Sequence, residues 1–393
     1  MRVACVGAGP AGLYLAILLK RRDPSHEVTV YERRAQGMAP GGGVVFWDDL
    51  LSDLRGSDPP SAEAILREAF CWRDQVVAIQ GKPPLRVPAR GYSIRRQRLL
   101  DLLGERALQL GVRLHFERPI EDPAQLPEVE LLVAADGAGS ALRQRHAGRL
   151  GTRVVQGRNV YVWLATPRLF PAFTFGLVPT HAGWIWFHAY GFEPATSTLI
   201  VECAPETWTG LGLDRLGAAQ GLALLERLFA QWLEGHRLLA PTLDAGGLPW
   251  RHFRRVTNET WHVGHLVLAG DAAHTTHFAI GSGTRLAMQD AISLAAALSG
   301  ARGGLAAALA TYQRERQQAL LLPQRAARLS AEWFENVPRY AGLAPPQFAT
   351  LLLNRRSPLM PRLPPRLYLL LRWAANVPGL RRLPHAQLRR SRA

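Results

Sequence analysis

The sequence of 393 residues has few cysteines and no long apolar run, and each shortage excludes a class of protein. The three cysteines, Cys5, Cys71 and Cys203, are far apart and form no CxxC pair. This excludes a disulfide framework or a zinc ribbon, and we expect no metal site. Charges or prolines interrupt every apolar stretch before it reaches the length of a membrane span. Free thiols fit a reducing compartment, so we expect a cytoplasmic protein.

Acidic residues are missing from the last forty positions. The stretch 354–393 contains ten arginines and no Asp or Glu, and it carries +10 of the net charge of +16. A nucleic-acid-binding protein would spread its positive charge over the folded body, so we expect no nucleic-acid partner. A basic amphipathic segment around 366–373 could instead contact a membrane surface or an acidic carrier protein, or simply pack on the body.

The glycines near the amino terminus follow a nucleotide-binding pattern. An apolar strand at 3–6 runs into Gly7-Ala8-Gly9-Pro10-Ala11-Gly12, and a helical pattern follows. Gly7 permits a tight turn, Gly9 allows the backbone to approach a pyrophosphate, and Gly12 allows close packing of the helix on the strand. A second strand ends at Glu32, which could accept hydrogen bonds from a ribose. The pattern predicts a dinucleotide site.

Two later loops indicate which dinucleotide is bound. A strand at 129–135 leads into Asp136-Gly137, and another at 266–269 leads into Gly270-Asp271. Gly281-Ser282-Gly283-Thr284 then begins a long helix. With GxGxxG, these loops resemble the three fingerprints of the single-component FAD-dependent aromatic monooxygenases, the class of para-hydroxybenzoate hydroxylase. The resemblance implies an α/β fold, in which a Rossmann-like FAD-binding domain (GxGxxG/DG/GD) carries an antiparallel-sheet substrate domain and a C-terminal helical segment.

The resemblance also implies cofactor roles for individual residues, with FAD bound and NAD(P)H as co-substrate. Gly9 to Gly12 would hold the pyrophosphate and Glu32 the adenosine ribose, while Asp271 would bond the ribityl side. Gly281, Gly283 and Thr284 would face the pyrimidine edge of the flavin, where a helix N-terminus favours negative charge. The whole expected cofactor set is Gly7, Gly9, Pro10, Ala11, Gly12, Glu32, Arg33, Arg96, Asp136, Asp271, Gly281, Gly283 and Thr284.

The region 153–250 has short aromatic strands and predicts an antiparallel sheet that covers the flavin and excludes water. The ring to be hydroxylated would need a base, for which we consider His277 first and then His188 and Tyr190. Packing or capping is an equally good explanation for His277, and the strand face of His188 could simply be core. The expected substrate pocket consists of Val45, Trp186, His188, Tyr190, His277 and Phe278.

Within the family, the sequence from residue 1 to about residue 357 is most similar to salicylyl-CoA 5-hydroxylase and to 2-aminobenzoyl-CoA monooxygenase. It is more distantly similar to the violacein-pathway hydroxylase of a tryptophan derivative. The resemblance implies hydroxylation of an activated aromatic ring through a C4a-hydroperoxyflavin, on a CoA or carrier-bound thioester or a related acid. Two alternatives stay open: a hydroxylase of tryptophan or another indole, and a non-catalytic FAD-binding partner protein. The chain could be a monomer or a homodimer.

Three features depart from the family pattern. Gly41-Gly42-Gly43 stands where relatives have Gly-Trp-Gly, and losing the indole should loosen that loop. His277 stands where para-hydroxybenzoate hydroxylase has a proline beside the flavin, and the basic tail is the third departure. We expect 1–70, 95–152 and 255–300 to bind FAD, and 71–94 with 153–254 to form the substrate sheet. A helical brace at 301–353 and an Arg-rich tail at 354–393 would follow.

Overall fold

The computed structural model describes residues 1–38, 41–240, 247–300 and 302–376. Its strands are β1 Arg2–Val6, β2 Glu27–Tyr31, β3 Gly43–Phe46, β4 Phe70–Ile79, β5 Leu85–Arg95, β6 Arg113–His115, β7 Leu131–Ala134, β8 Arg153–Thr166, β9 Phe173–Thr180, β10 Gly183–Glu193, β11 Thr196–Cys203, β12 Arg251–Thr257, β13 His262–Val263 and β14 Leu266–Leu268. Its helices are α1 Pro10–Arg22, α2 Asp48–Ser57, α3 Pro59–Glu68, α4 Arg96–Gln109, α5 Ala141–Arg145, α6 Ala147–Leu150, α7 Pro205–Gly210, α8 Ala218–Leu228, α9 Ala230–Leu233, α10 Gly283–Gly300, α11 Gly304–Glu335, α12 Pro338–Ala341, α13 Pro345–Leu353 and α14 Pro365–Asn376.

The first sheet is parallel and carries the nucleotide-binding loops. Its strand order across the described residues is β13-β14-β7-β1-β2-β6, and only β13 runs antiparallel to its neighbour. Strands β1 and β7 are apolar and buried almost throughout, as expected for a parallel sheet with both faces covered. The ends of β1, β7 and β14 therefore lie side by side, and each is followed by one of the glycine-containing loops.

The second sheet is larger and mostly antiparallel. Its order in the described chain is β12-β8-β11-β10-β9-β4-β5-β3, with β4 and β9 as the parallel pair. Strand β10 is buried along nearly its whole length. One apolar cluster covers a face of this sheet with α8 and α9, and another joins it to α11 and α13.

The two sheets depart from the predicted division of the chain at strand β3 and at the end of strand β12, where 255–257 pair with β8 of the second sheet. Strand β3 lies within the range expected for the FAD-binding unit, but it pairs antiparallel with β5 at the edge of the second sheet. The hydrogen bonds of Gly43 explain this placement, because its N–H reaches Thr198 Oγ1 at 2.8 Å and its carbonyl accepts from the Tyr190 hydroxyl at 2.8 Å. Both partners belong to the second sheet.

Helix α11 connects the cores of the two parts. It continues through Pro323, its Leu309 and Tyr312 pack in the core of the parallel sheet, and its Trp333 and Phe334 pack against the second sheet. Among the described residues, no helix combines the length and the apolar character needed to cross a lipid bilayer.

Candidate functional site

The glycine loop after β1 leaves room only for backbone. Gly7 has a φ of +106°, and a Cβ there would lie 2.3 Å from the carbonyl oxygen of Ala135. A Cβ on Gly12 would lie 2.1 Å from the carbonyl oxygen of Gly7. Gly9, by contrast, has no atom closer than 3.9 Å to such a Cβ, so its open side faces free space. The loop thus places the N-terminus of α1 against an open cleft.

The carboxylate of Glu32 forms a hydrogen bond with the backbone of the first glycine loop. One carboxylate oxygen accepts from the N–H of Ala8 at 3.0 Å, and the other accepts from the N–H of Arg34 at 3.1 Å. Each oxygen has lone pairs left for a further donor. Glu32 therefore holds the first loop in shape while it still offers acceptors to a ligand in the cleft.

Asp271 and Arg96 both line the same cleft. Arg96 is the first residue of α4, and its N–H donates to the carbonyl of Gly42 at 2.9 Å. Desolvation lowers the pKa of Arg96, an effect that Asp271 opposes. Desolvation raises the pKa of the Asp271 carboxyl, although His274 and Arg96 pull it down. This pair leaves one positive and one negative group exposed to a polar ligand.

The loop that begins at Asp136-Gly137, which we call the DG loop, also lines the cleft. Asp136 accepts from the N–H of Ala141 at 2.9 Å, while its other oxygen is buried and has no partner among the described residues. Burial raises the pKa of this carboxyl. Arg143 is buried and donates to the carbonyls of Ala138 at 2.6 Å and Ala272 at 3.3 Å. Arg143 thereby links the DG loop to the GD loop, the turn that begins at Gly270-Asp271.

These loops enclose a cleft of about 280 Å³. Of the predicted cofactor residues, seven line it together: Gly7, Gly9, Glu32, Arg33, Arg96, Asp136 and Asp271. The other three residues of the first loop, Pro10, Ala11 and Gly12, are buried in the first turn of α1 behind the cleft. Gly270 packs closely against this turn, because a Cβ on Gly270 would lie 3.1 Å from the Cβ of Ala11. Arg118 and Glu121 also line the cleft, and their sequence context gave no sign of this position.

Asp290 anchors the GD loop through hydrogen bonds, and no sequence motif indicated this role. It is buried within α10 and accepts from the N–H of Gly270 at 2.8 Å and from His274 Nε2 at 2.9 Å. Its second oxygen accepts from Arg316 Nε of α11 at 2.7 Å. Burial raises the pKa of Asp290, but His274 and Arg316 lower it more, so the net shift is downward. The only sequence signal was a single acid within an apolar helix.

Gly281, Gly283 and Thr284 lie at the start of α10, outside the lining of this cleft. Gly281 has a φ of +62° and lies against Val45 and Trp47, where a Cβ would meet them at 3.6–3.7 Å. The buried hydroxyl of Ser282 has no hydrogen-bond partner among the described residues. The loop 270–283 thus runs from the nucleotide cleft to the second sheet and ends at a helix N-terminus with free N–H groups.

Aromatic rings collect where this loop meets the second sheet. Phe278 lies 4.7 Å from Tyr161, 5.8 Å from His188 and 4.3 Å from His277 between ring centroids. We call the whole group the aromatic cluster, and it consists of Tyr161, Phe175, Trp186, His188, Phe253, His277, Phe278 and Phe334. Four of the six predicted pocket residues, Trp186, His188, His277 and Phe278, belong to it.

His277 has a defined hydrogen-bond arrangement. Its Nδ1 accepts from the N–H of Ala279 at 3.3 Å, so the neutral ring carries its proton on Nε2. Burial lowers the pKa of His277 to about 4, which keeps the ring neutral near pH 7. In this state His277 offers a hydrogen-bond donor rather than a base.

His188 lies deeper in the sheet beside a buried carboxylate. Its Nε2 lies 3.6 Å from Glu202 Oε2 and has no hydrogen-bond partner among the described residues. Burial lowers the pKa of His188, against the effect of Glu202. Glu202 was not singled out in the sequence, although an acid in the apolar strand TLIVEC was the available signal.

Tyr190 has a structural role in the second sheet. Its buried hydroxyl donates to the carbonyl of Gly43, and its ring stacks on Phe173 at 5.3 Å. Burial raises the pKa of this phenol, so it stays protonated near neutral pH. Its hydroxyl therefore fixes strand β3, and this leaves His277 and His188 as the better candidates for contact with a substrate.

Arg355 was counted with the basic tail but is buried in the body. Its guanidinium donates to Ser330 Oγ at 2.8 Å and to the carbonyls of Leu352 at 2.9 Å and Ala279 at 2.7 Å. It also lies 5.4 Å from the ring centroid of Phe175. Desolvation lowers its pKa to about 9. Arg355 therefore fixes the loop that carries His277, and tertiary packing separates it from the exposed arginines.

The cleft fits a dinucleotide such as FAD on its own geometry. Only backbone fits at Gly7 and Gly12, and the N-terminus of α1 offers free N–H groups to phosphate. The unpartnered Asp136 oxygen and Ser282 hydroxyl are buried polar atoms that a bound ligand could satisfy. In the part of the chain described here, no three His, Cys, Asp or Glu side chains come together as metal ligands would.

Comparison with known proteins agrees with this arrangement. The family described as FAD binding domain matches residues 111–322, which is more than half of the chain. The family described as NAD(P)-binding Rossmann-like domain matches residues 5–45, the segment with the first glycine loop.

Three curated relatives cover most of the chain. Salicyloyl-CoA 5-hydroxylase from Streptomyces sp is 37% identical over 91% of this chain and 70% of its own length. The 3-hydroxy-4-methyl-anthranilyl-[aryl-carrier protein] 5-monooxygenase of Streptosporangium sibiricum is 35% identical over 86% and 90%. Protodeoxyviolaceinate monooxygenase of Chromobacterium violaceum is 30% identical over 92% and 96%.

Solved structures show the same fold at lower identity. A 2-methyl-3-hydroxypyridine-5-carboxylic acid oxygenase superposes with a TM-score of 0.69 at 20% identity, over 91% of this chain and 98% of that one. PqsL of P. aeruginosa, in complex with 2-aminobenzoylacetate, gives 0.66 at 21% identity over 87% and 98%.

Proposed function

Because the chain belongs to the family of FAD-dependent aromatic monooxygenases, we propose that it hydroxylates an aromatic ring delivered as a thioester of CoA or of a carrier protein. The observation that carries this proposal is the pair of relatives at 37% and 35% identity, whose names specify an aryl-CoA and an aryl-carrier-protein substrate. Aromatic hydroxylation itself follows from membership of the family.

The reaction balances with NAD(P)H as the electron donor. One atom of O2 enters the ring, the other leaves as water, and two electrons come from NAD(P)H. FAD, when bound, supplies the redox chemistry that links the donor to O2. The protein's part is to bind, to orient and to exclude water.

In this proposal the cleft residues hold the dinucleotide. The N-terminus of α1 would bind the pyrophosphate and Glu32 a ribose, while Asp271 and Arg96 would offer one charge of each sign to the middle of the dinucleotide. The N-terminus of α10 beside Gly281 would stabilise negative charge on the flavin.

The aromatic cluster would form the substrate side. Its rings exclude water from the reacting ring. His277, neutral and with its proton on Nε2, would donate to an oxygen or nitrogen substituent on the substrate and stabilise the negative charge there. His188, whose ring lies 5.8 Å from that of Phe278, would contact the substrate beside it.

A second candidate substrate is an indole. It is favoured by the relative named protodeoxyviolaceinate monooxygenase, which matches over 96% of its length. The experiment that separates the two candidates is NAD(P)H oxidation by the FAD-loaded chain, with NADH and NADPH each tested. Salicyloyl-CoA, 2-aminobenzoyl-CoA, the free acids and tryptophan are compared, and the products are identified by mass.

We expect a thioester to accelerate oxidation of NAD(P)H and to gain one oxygen atom. A response to tryptophan alone would favour the indole candidate, and no oxidation by a protein that holds FAD would favour a non-catalytic partner. Replacement of His277 with leucine should lower kcat by about a hundredfold to a thousandfold, because one donor to developing charge is lost. Glu206→Gln, on the surface in α7, is the matched control and should keep wild-type kcat.

We further propose that helix α14 contacts the protein that carries the substrate. Tyr368 packs the helix onto the body, while Leu370 and Trp373 are exposed at 57% and 67%. Arg362 and Arg366 are exposed beside them, and the stretch 354–393 contains no acid. A basic face with apolar side chains fits an acidic carrier protein. Arg381, Arg382, Arg389, Arg390 and Arg392 lie outside the described residues.

Charge reversal tests this contact. The double variant Arg362→Glu with Arg366→Glu should raise KM for a carrier-bound aryl thioester by about tenfold, equivalent to about 1.4 kcal/mol, while KM for the CoA thioester stays unchanged. Equal effects on both substrates would contradict the proposal. Co-sedimentation of the wild type, but not the variant, with phosphatidylserine vesicles would indicate a membrane contact instead.

A further inference from the structure

Glu202 is a buried carboxylate that the binding of FAD does not explain. It lies in β11 between Trp186 of β10 and Tyr161 of β8 in register, and its side chain is almost fully buried. Oε1 accepts from Asn159 Nδ2 at 2.8 Å, and Oε2 accepts from Trp186 Nε1 at 3.3 Å. Both donors are neutral. A buried carboxylate is costly unless a positive group is near, so its surroundings must supply one.

The nearest group that can become positive is His188. Its Nε2 lies 3.6 Å from Glu202 Oε2 and is buried without a hydrogen-bond partner among the described residues. A protonated imidazole in this place would form an ion pair with Glu202. A neutral imidazole with its proton on Nε2 directs that proton towards Glu202 and leaves Nδ1 free to accept a proton.

The other charged and titratable groups around Glu202 have opposing effects on the pKa values of His188 and Glu202. Arg355, from the segment after α13, lowers the pKa of both His188 and His277, while Glu202 raises both. Burial and Glu202 raise the pKa of Tyr161 in β8 and of Cys203 in β11. Burial raises the pKa of Glu202, but His188, His277 and Asn159 lower it more, so the carboxylate stays ionised.

We propose that Glu202 is a positioning residue whose buried negative charge prepares His188 to accept the proton that the ring hydroxyl of the substrate releases. The O–H bond breaks with its electron pair left on oxygen, and a new N–H bond forms on His188. Glu202 balances the imidazolium, as a carboxylate does beside a histidine base. His277 donates its Nε2–H to the oxygen that has lost the proton. This inference rests on the proposed function for its substrate.

A purely structural role would give a different result. Glu202 could simply accept from Asn159 and Trp186, in which case loss of either hydrogen bond should have the same consequence. Glu202→Gln removes the charge, and Trp186→Phe removes one hydrogen bond while it keeps the charge. Comparison of these two variants separates electrostatics from packing.

The first readout needs no substrate. The imidazoles of the FAD-loaded full chain, labelled in histidine, are titrated by NMR and assigned with His188→Gln. We expect the pKa of His188 to fall by about one unit or more in Glu202→Gln, because an opposite charge at this distance shifts a pKa by one to three units. Trp186→Phe should leave it near the wild-type value. Equal pKa values in the wild type and Glu202→Gln would overturn the inference.

The second readout is the ionisation of bound salicyloyl-CoA, followed by phenolate absorbance without NAD(P)H. The wild type should show phenolate near neutral pH, and Glu202→Gln should lose it with an unchanged Kd. More phenolate in Glu202→Gln would overturn the inference, because it would mean that Glu202 only repels the anion. If Glu202→Gln does not fold, phenolate retained in His188→Gln would overturn it equally.

The two proposals fail in different ways. If the wild type binds no aryl thioester, the proposed function fails, and the ligand-free titration still decides whether Glu202 controls His188. If the wild type binds the thioester but Glu202→Gln matches it in both readouts, only the role of Glu202 fails.

Discussion

Replacing Asp290 with leucine is expected to lower the free energy of unfolding by about 3–5 kcal/mol, because it leaves a buried charge without its partner. Arg316 Nε would lose its acceptor at 2.7 Å, and the N–H of Gly270 would lose its acceptor at 2.8 Å. The GD loop would also lose its link to His274. Chemical denaturation followed by fluorescence measures the effect.

Two comparisons make this result specific. Asp49→Leu breaks the exposed ion pair with Arg285 and should lower the free energy of unfolding by at most about 1 kcal/mol.

The second comparison is the pH dependence of the Asp290→Leu effect. The pKa of Asp290 in the folded state is lowered, so its contribution to stability is present above the pKa of an unfolded aspartate and is lost as the pH falls towards the folded-state pKa. The gap between wild type and Asp290→Leu should therefore narrow in acid. A gap that does not change with pH would contradict this account.

Replacing Gly12 with valine is expected to abolish FAD retention. A Cβ at this position would lie 2.1 Å from the carbonyl oxygen of Gly7, so α1 would have to move away from the glycine loop. The free N–H groups at the start of α1 would then no longer face the cleft. The measurement is the flavin absorbance that stays with the purified protein after gel filtration.

A matched glycine controls for the loss of backbone freedom. A Cβ on Gly148 would meet no neighbouring atom within 4 Å, and the φ of Gly148 is not positive, so Gly148→Ala should keep its flavin. Retention of FAD by Gly12→Val at wild-type stoichiometry would show that the loop does not hold the pyrophosphate in the way we propose.

The nucleotide cleft could be anticipated because its signals are local. The turn at Gly7 requires a positive φ, and the close approach at Gly12 leaves no space for a side chain, so both positions require glycine. Strand, loop and helix follow one another closely, and each fingerprint loop comes directly after a strand of one parallel sheet. The ends of neighbouring parallel strands must meet at one edge.

The substrate side could be anticipated only in part. Alternation along β10 placed Trp186 and His188 on one face, as the structure has them. It also placed Tyr190 there, but a hydrogen bond to Gly43, far away in sequence, holds that hydroxyl. Sequence periodicity gives the face of a strand and not the partner that a side chain finds.

The three glycine-containing loops and their resemblance to the FAD fingerprints determined the family and, with it, the α/β architecture, because the geometry of each loop depends on residues that are neighbours in the sequence. Tertiary packing decided which charges are buried. Asp290, Glu202 and Arg355 are single polar residues in apolar surroundings, and their partners, Arg316, His188 and the carbonyl of Ala279, come from other elements. A buried charge is defined by what surrounds it, and only the folded chain brings those groups together.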